Sequence, residues 1–224
     1  MPAAGGTVLG EGGIVSRLAD PPVGERIREE RIKRGVSLRS LARDVGVSAS
    51  LVSQIETGKC RPSVSTLYAI TTALRVSIED VFETPGAEPA ALLPLTLSSP
   101  ADAFAELAAL DDHRSGPLVR PGDREVLRLD SGVTWERLGH VPGTRVDFLL
   151  VTYAPGGSSS SEGELMRHRG VEHGYLIEGE LILTLGTEEH RFTAGNSVCF
   201  PSSVRHRYRN DAHTPAVGVW FVSE

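Results

Sequence analysis

The stretch from Ser37 to Ser63, SLRSLARDVGVSASLVSQIETGKCRPS, constrains this chain more than any other. Leu38, Leu41, Ala42 and Val45 recur at helical spacing behind Ser37, whose hydroxyl suits an N-cap. Gly46 ends that run, where a left-handed backbone is least costly for glycine. Ser48 opens a second run whose apolar side is Leu51, Val52 and Ile55, and Gly58 closes it. The spacing predicts two short amphipathic helices joined by a tight turn. Such a pair is either a plain helical hairpin or a helix-turn-helix, whose second helix enters the DNA major groove.

The outward residues of the second helix favour the DNA reading. Ser48, Ala49, Ser50, Ser53 and Gln54 are small or carry an amide, and Gln54 can make a bidentate contact to adenine. Arg39, Arg43, Lys59 and Arg61, with Arg26, Arg28, Arg31, Lys33 and Arg34 upstream, are expected to supply phosphate contacts. The succession S-L-x-x-L-A, G-V-S, S-x-I-E-x-G and P-S resembles the lambda-repressor-like (XRE-type) helix-turn-helix domains, from about Val23 to Phe82. That resemblance implies a transcriptional regulator with double-stranded operator DNA as its partner. Three more helices are expected around the pair, making an all-α bundle of five. One begins near Pro22 with Val23, Ile27 and Ile32 and ends at Gly35. Another starts at Ser63 or Ser65 and carries Leu67, Ile70 and Leu74. A short one follows Ser77 through Val81 and Phe82.

Composition limits what surrounds this module. With 224 residues the chain has room for two small domains, and no apolar run approaches the length of a membrane span. The N-terminus lacks the basic and apolar regions of a signal peptide. Cys60 and Cys199 stand far apart, with no disulfide framework or Cys-type zinc motif. A cytoplasmic protein is expected. The net charge of −6 hides an asymmetry: residues 17–82 carry 11 Lys and Arg against 8 Asp and Glu, and the remainder carries 12 against 21. A mildly basic segment joined to an acidic body fits one nucleic-acid-binding module attached to something else. Residues 1–16, rich in Gly and Ala, read as a disordered tail, and 17–83 as the helical domain. Pro85, Pro89, Pro94 and Pro100 mark 84–117 as a linker, with a helix expected over 101–110 on Phe104, Leu107 and Leu110.

From Leu118 the period changes to two. Short β-type runs cover Glu125–Leu129, Thr134–Leu138, Arg145–Tyr153, Tyr175–Leu185, Ser197–Phe200 and Ala216–Val222, with Gly or Pro between most of them. A tight turn is expected at Glu178-Gly179. This is the pattern of an antiparallel sandwich or small barrel spanning 118–224. Within it His168-x3-Glu172, then Gly179, and later Gly195-x5-Pro201, His206 and Asn210 resemble the two motifs of cupins, double-sheet jelly-roll-like barrels. Met166 stands where that family has the first His of its H-x-H pair, and Ser203 where it has a Gly.

His168, Glu172 and His206 therefore remain as a candidate ligand set for one divalent metal, Fe, Zn, Mn or Ni. A metal-free pocket with a His–Glu hydrogen bond is the alternative. By strand alternation Gly174 and Leu176 share the face of Glu172, and Tyr208 and Asn210 that of His206. Gly174, Leu176, Tyr208, Met166, Phe148, Leu150 and Val198 are candidate pocket walls. Phe148, Leu150 and Val198 are equally compatible with plain core. Arg167 and Arg205 flank the site as solvated charges or as contacts for an anionic ligand. His113, His140, His190 and His213 read as solvated. The expected function is a DNA-binding regulator, more often a repressor by family analogy, acting as a homodimer whose cupin domain senses a small-molecule effector. The competing expectation is a mononuclear non-haem iron enzyme, resembling the phosphonate epoxidases, with the helical domain as an accessory.

Overall fold

Five helices form the N-terminal unit: α1 (Val23–Lys33), α2 (Leu38–Val45), α3 (Ala49–Glu56), α4 (Val64–Leu74) and α5 (Ile78–Phe82). The computed structural model describes residues 23–82, 118–141, 144–160 and 162–223. The expected tail 1–16, the linker with its helix 101–110, and His113 lie outside the described residues. Serines set the helix starts by capping. Ser37, Ser48 and Ser63 hydroxyl oxygens accept from the amides of Ser40, Leu51 and Thr66 at 3.1, 3.1 and 3.2 Å. Ser77 and Asp80 cap α5 reciprocally, side chain to amide in both directions. Gly46 adopts φ 81°, and its amide closes onto the carbonyls of the last turn of α2.

Leu41, Val52, Ile55, Leu67 and Ile70 form the fully buried centre of the bundle. Arg31 on α1 clamps the end of α3: its guanidinium donates to both Glu56 carboxylate oxygens at 2.6 and 2.8 Å and to the Val36 carbonyl at 3.0 Å. Arg34 pairs with Glu30, and Arg26 donates to the Asp80 carbonyl. Arg26 and Arg31, two of the arginines expected to serve phosphate, are therefore committed within the bundle, while Arg34 stays exposed beside Glu30. Their helix turns Arg26 and Arg31 toward acidic and carbonyl partners rather than outward.

The C-terminal unit holds nine strands: β1 (Val126–Arg128), β2 (Val133–Gly139), β3 (Val146–Tyr153), β4 (Val171–Glu178), β5 (Glu180–Leu185), β6 (Glu188–Thr193), β7 (Ser197–Pro201), β8 (His206–Arg209) and β9 (Ala216–Ser223). They make two antiparallel sheets, ordered β1-β2-β3-β9-β4-β7 and β6-β5-β8. Gly179 turns between β4 and β5 with φ 80°, as its position in the sequence requires. The inner faces meet on Trp135, Tyr153, Leu176, Leu181, Leu183, Phe192, Phe200, Tyr208 and Trp220.

The two units share one continuous apolar core. The join runs along α4 and α5. The Ser65 amide donates to the Ser159 carbonyl at 2.9 Å, and the Asp130 amide donates to the Pro62 carbonyl at 2.9 Å. The Arg137 guanidinium lies 5.5 Å from the centre of the Phe82 ring, within cation–π range.

Candidate functional site

Two surfaces carry chemistry. On the helical unit, α3 presents Ser50 and Gln54 to solvent, with Ala49 and Ser53 half-buried beside them. Arg39, Arg43, Lys59 and Arg61 are all exposed around it. The Ser48 hydroxyl is engaged as the N-cap of α3, accepting from the Leu51 amide. Arg43 reaches the Ser40 hydroxyl at 3.1 Å on its own helix. The nine residues expected from sequence lie on α2, at the N-cap of α3, along α3 and in the loop after it, and seven of them are exposed: Arg39, Arg43, Ser48, Ser50, Gln54, Lys59 and Arg61.

The second surface is internal. His168 stands in the loop before β4, Glu172 on β4 and His206 at the start of β8, all buried. Met166 and His206 pair as an isolated antiparallel bridge, which fixes both against the inner end of β8. The Nε2 atoms of His168 and His206 converge on the same oxygen, Glu172 Oε1, at 2.8 and 2.9 Å. The Tyr208 hydroxyl donates to the other oxygen, Oε2, at 3.0 Å. Each imidazole also meets a backbone carbonyl through Nδ1, Arg169 O at 2.9 Å and Val204 O at 2.8 Å. A carbonyl only accepts, so both Nδ1 atoms carry hydrogen and both Nε2 atoms face the carboxylate.

That arrangement fits a cation. Neutral rings would aim two lone pairs at an acceptor, so the site needs either extra protons or a metal ion between the three groups. His206 Nε2 is fully buried, and among the described residues the one group it faces at ion-pair distance is the Glu172 carboxylate. Two imidazoles held by backbone carbonyls and one carboxylate form a donor set suited to a divalent transition metal, and their ligand atoms lie within 4.8 Å of one another. The electrostatics agree. Burial would raise the Glu172 pKa, but hydrogen bonds and positive charge from His168 and His206 outweigh it and hold the group down at about 2. Burial opposes protonation of His206, yet the Glu172 hydrogen bond and charge win and raise its pKa. Burial, reinforced by the Glu172 charge, pushes the phenols of Tyr153 and Tyr208 up.

A cavity opens on this cluster, and the space left in it is about 20 Å³. Its walls are Trp135, Leu149, Val151, Tyr153, Met166, Glu172, Tyr208, Trp220 and Val222, together with Val64 and Tyr68 from α4. Met166 and Tyr208 stand where the sequence reading placed them. Phe148 does not: it is 39% exposed on the outer face of the sheet. Strand β3 is apolar on both faces, and the inward set is Leu149, Val151 and Tyr153, one residue out of step with Phe148 and the half-buried Leu150. Leu176 is core below the cavity. Gly174 leaves no free space beside Glu172, because Trp220 and Val198 fill it: a Cβ there would lie 3.0 Å from each.

Tyr68 was missed as a site residue, and it matters most. Its ring stacks on the His168 imidazole with centroids 3.8 Å apart and planes 5° apart, and meets Trp135 edge-on at 5.9 Å. The signal was a second stripe on α4. Val64, Tyr68 and Thr71 are buried beside the bundle-facing Leu67, Ile70 and Leu74, so the helix is apolar on two sides and needs a second partner. Outside the mouth, Arg167 and Arg205 share an open depression of about 430 Å³ with Glu164 and Leu165. Asn210 is structural: its amide donates to the carbonyls of Tyr153 and Thr214. His190 and His213 are exposed and His140 is half-buried.

Known proteins agree with both halves. Residues 22–83 match the family model of a helix-turn-helix domain, and 149–222 that of a cupin domain. The HTH-type transcriptional regulator PuuR of Escherichia coli is 25% identical over 203 residues, covering 86% of this chain and 94% of its own. The HTH-type transcriptional regulator SutR of Escherichia coli is 26% identical over 185 residues, covering 82% and 84%. The crystal structure of an HTH_3 family transcriptional regulator from Vibrio cholerae superposes with a TM-score of 0.59 at 20% identity, over 92% of this chain and 96% of that one. It shares the fold of both units. No helix among the described residues is long and apolar enough to cross a membrane. The chain joins a helix-turn-helix domain to a C-terminal cupin domain, and it is a DNA-binding regulator similar to these HTH-type transcriptional regulators.

Proposed function

We propose that this regulator reads operator DNA as a homodimer and that its cupin domain, built on a divalent metal, senses a small molecule. The observation that carries the DNA half is the exposed face of α3, with Gln54 and Ser50 outward between Arg39, Arg43, Lys59 and Arg61. Gln54 has the two-pronged amide that pairs with adenine, and the arginines and lysine flank it as phosphate contacts do. One such helix reads few base pairs, so two copies on adjacent half-sites are needed for a selective operator.

An exposed apolar patch on the outside of the larger sheet supports the dimer reading. Phe148, Phe221, Tyr175 and Ile177 are 39–51% exposed there, with Val217, Val219 and Leu150 half-buried between them. Cross-strand pairing makes these residues contiguous, Phe148 opposite Phe221 and Tyr175 opposite Val219. A row of this kind suits a self-complementary two-fold contact.

His168, Glu172 and His206 would hold the metal through Nε2, Nε2 and a carboxylate oxygen. Bound there, the ion supplies open coordination positions for an effector with a donor atom. Tyr208 orients the carboxylate, and the two backbone carbonyls orient the rings.

Selection of a preferred site from random-sequence DNA, followed by binding of variants, tests the DNA half. Gln54→Ala should lose about 1–3 kcal/mol of discrimination at one position of the half-site. Arg39→Ala should weaken binding to all sequences and flatten the salt dependence. A Gln54→Ala protein as selective as the parent would remove α3 from its assigned role.

A further inference from the structure

Two residues of the DNA-binding domain line the cupin cavity. Val64 and Tyr68 lie one turn apart on α4 and form its outer wall, Tyr68 lying flat on the ring of His168. The remaining space of about 20 Å³ takes one water molecule or one ion. No organic molecule of even a few carbon atoms fits. The other walls cannot give way cheaply. Trp135, Tyr153 and Trp220 are buried side chains on strands paired on both sides, Tyr208 is buried on the strand beside β5, and Tyr153, Tyr208 and Trp220 pack on one another, tilted or edge to face. The α4 wall is held differently. Tyr68 and Val64 rest on the barrel by side-chain contact, and among the described residues two backbone bonds cross the join, Ser65 to Ser159 and Asp130 to Pro62.

We propose that Tyr68 is the plug of the effector site, so that an organic ligand in the cupin cavity and docking of α4 on the barrel exclude one another. This rests on the reading of the cavity as the sensing site and names how it is coupled. A ligand occupying the place of the Tyr68 ring breaks its stack on His168 and its edge contact with Trp135. Helix α4 must then leave the barrel, carrying with it the bundle that contains α3. The intrinsic affinity of the ligand is lowered by the fraction of molecules already undocked, and by linkage the ligand raises that fraction. Tyr68 is thus a positioning residue that belongs to both domains. A metal held by His168, Glu172 and His206 would be compatible with the docked form.

Two amides report docking directly. Ser65 lies in the first turn of α4, where the helix itself offers no acceptor, so protection of its N–H against hydrogen exchange comes from Ser159 of the barrel. Asp130 reports the same join from the other side.

The test places a covalent occupant in the cavity and needs neither an effector nor DNA. In the full chain carrying Cys60→Ser and Cys199→Ser, Met166→Cys puts one thiol in the cavity wall, and N-ethylmaleimide is the probe, with chelator present. Labelling should be slow in the presence of Tyr68, equally slow in Tyr68→Phe, and faster by about tenfold or more in Tyr68→Ala. The labelled protein with Tyr68 intact should lose exchange protection at Ser65 and Asp130 while α2 and α3 keep theirs. If Tyr68→Ala unfolds the bundle, loss of protection in α2 and α3 reveals it, and the labelled Tyr68 protein decides alone. Labelling as fast with Tyr68 as without it, or a labelled protein with Ser65 and Asp130 still protected, overturns the plug. That failure would leave DNA binding and sensing standing. Conversely, failure to find any effector that alters operator binding would leave the plug intact.

Discussion

Glu172 is the residue on which the barrel interior turns, because one carboxylate faces two imidazoles and a phenol with no water-exposed surface to relieve it. In metal-free protein its depressed pKa contributes stability that is present above the unfolded value of 4.5 and lost as pH falls toward about 2. The raised pKa of His206 contributes stability that is complete below its unfolded value of 6.5 and lost as pH climbs through the folded value. Both contributions are therefore full between pH 4.5 and 6.5. Glu172→Gln should cost more stability at pH 5.5 than at pH 8.5, roughly 3 kcal/mol at the lower pH, measured by denaturant unfolding with chelator. Equal losses at the two pH values would mean that His206 is not charged by its neighbour. The three polar residues of this site were legible because the spacing of two cupin motifs fixes them. The walls were not. On β3 both alternating rows are apolar, so parity alone could not distinguish Leu149 and Val151 from Phe148 and Leu150.

Among the elements, the helices were legible nearly to the residue, since serine caps and glycine stops punctuate them. Strand β6, EEHRFT, was not, because it lies at the edge of the smaller sheet and buries only Phe192. Its sequence carries no apolar alternation to detect. The arginines of α1 show the converse problem: a basic residue near a DNA-reading helix looks the same in sequence whether it serves phosphate or a buried glutamate. Arg31→Ala should therefore act on folding, lowering bundle stability by about 3–5 kcal/mol through the stranded Glu56. Arg39→Ala, exposed on α2, should leave stability within about 0.5 kcal/mol of the parent. The approach of α1 to α3 sets a second limit. A Cβ on Gly24 would stand 2.1 Å from the Ile55 carbonyl oxygen, so Gly24→Ala should destabilise the bundle, against the usual gain from Gly→Ala within a helix. Thermal unfolding of the three variants checks both statements. A more stable Gly24→Ala would mean that the two helices pack with slack.

At the scale of the whole molecule, the domain order was readable from the change of period, but the docking of the two domains was not. It depends on the second stripe of α4 meeting the barrel mouth, a contact between residues about a hundred positions apart in sequence. The outer sheet face makes its own prediction. Phe221→Glu should convert a dimer to a monomer in sedimentation and weaken operator binding, while leaving the cavity unchanged because Phe221 points away from it. A variant that stayed dimeric would move the interface elsewhere. Tyr68 packs on His168, so the proposed account joins the state of the cupin site and the pose of α3 in one equilibrium. The most direct test of that account is operator affinity of untagged protein, metal-loaded and chelated, with His206→Ala in parallel. The account predicts that chelation changes the affinity of the parent and leaves His206→Ala unaffected. Affinities that are equal in all samples, with metal shown to bind the parent, would contradict it.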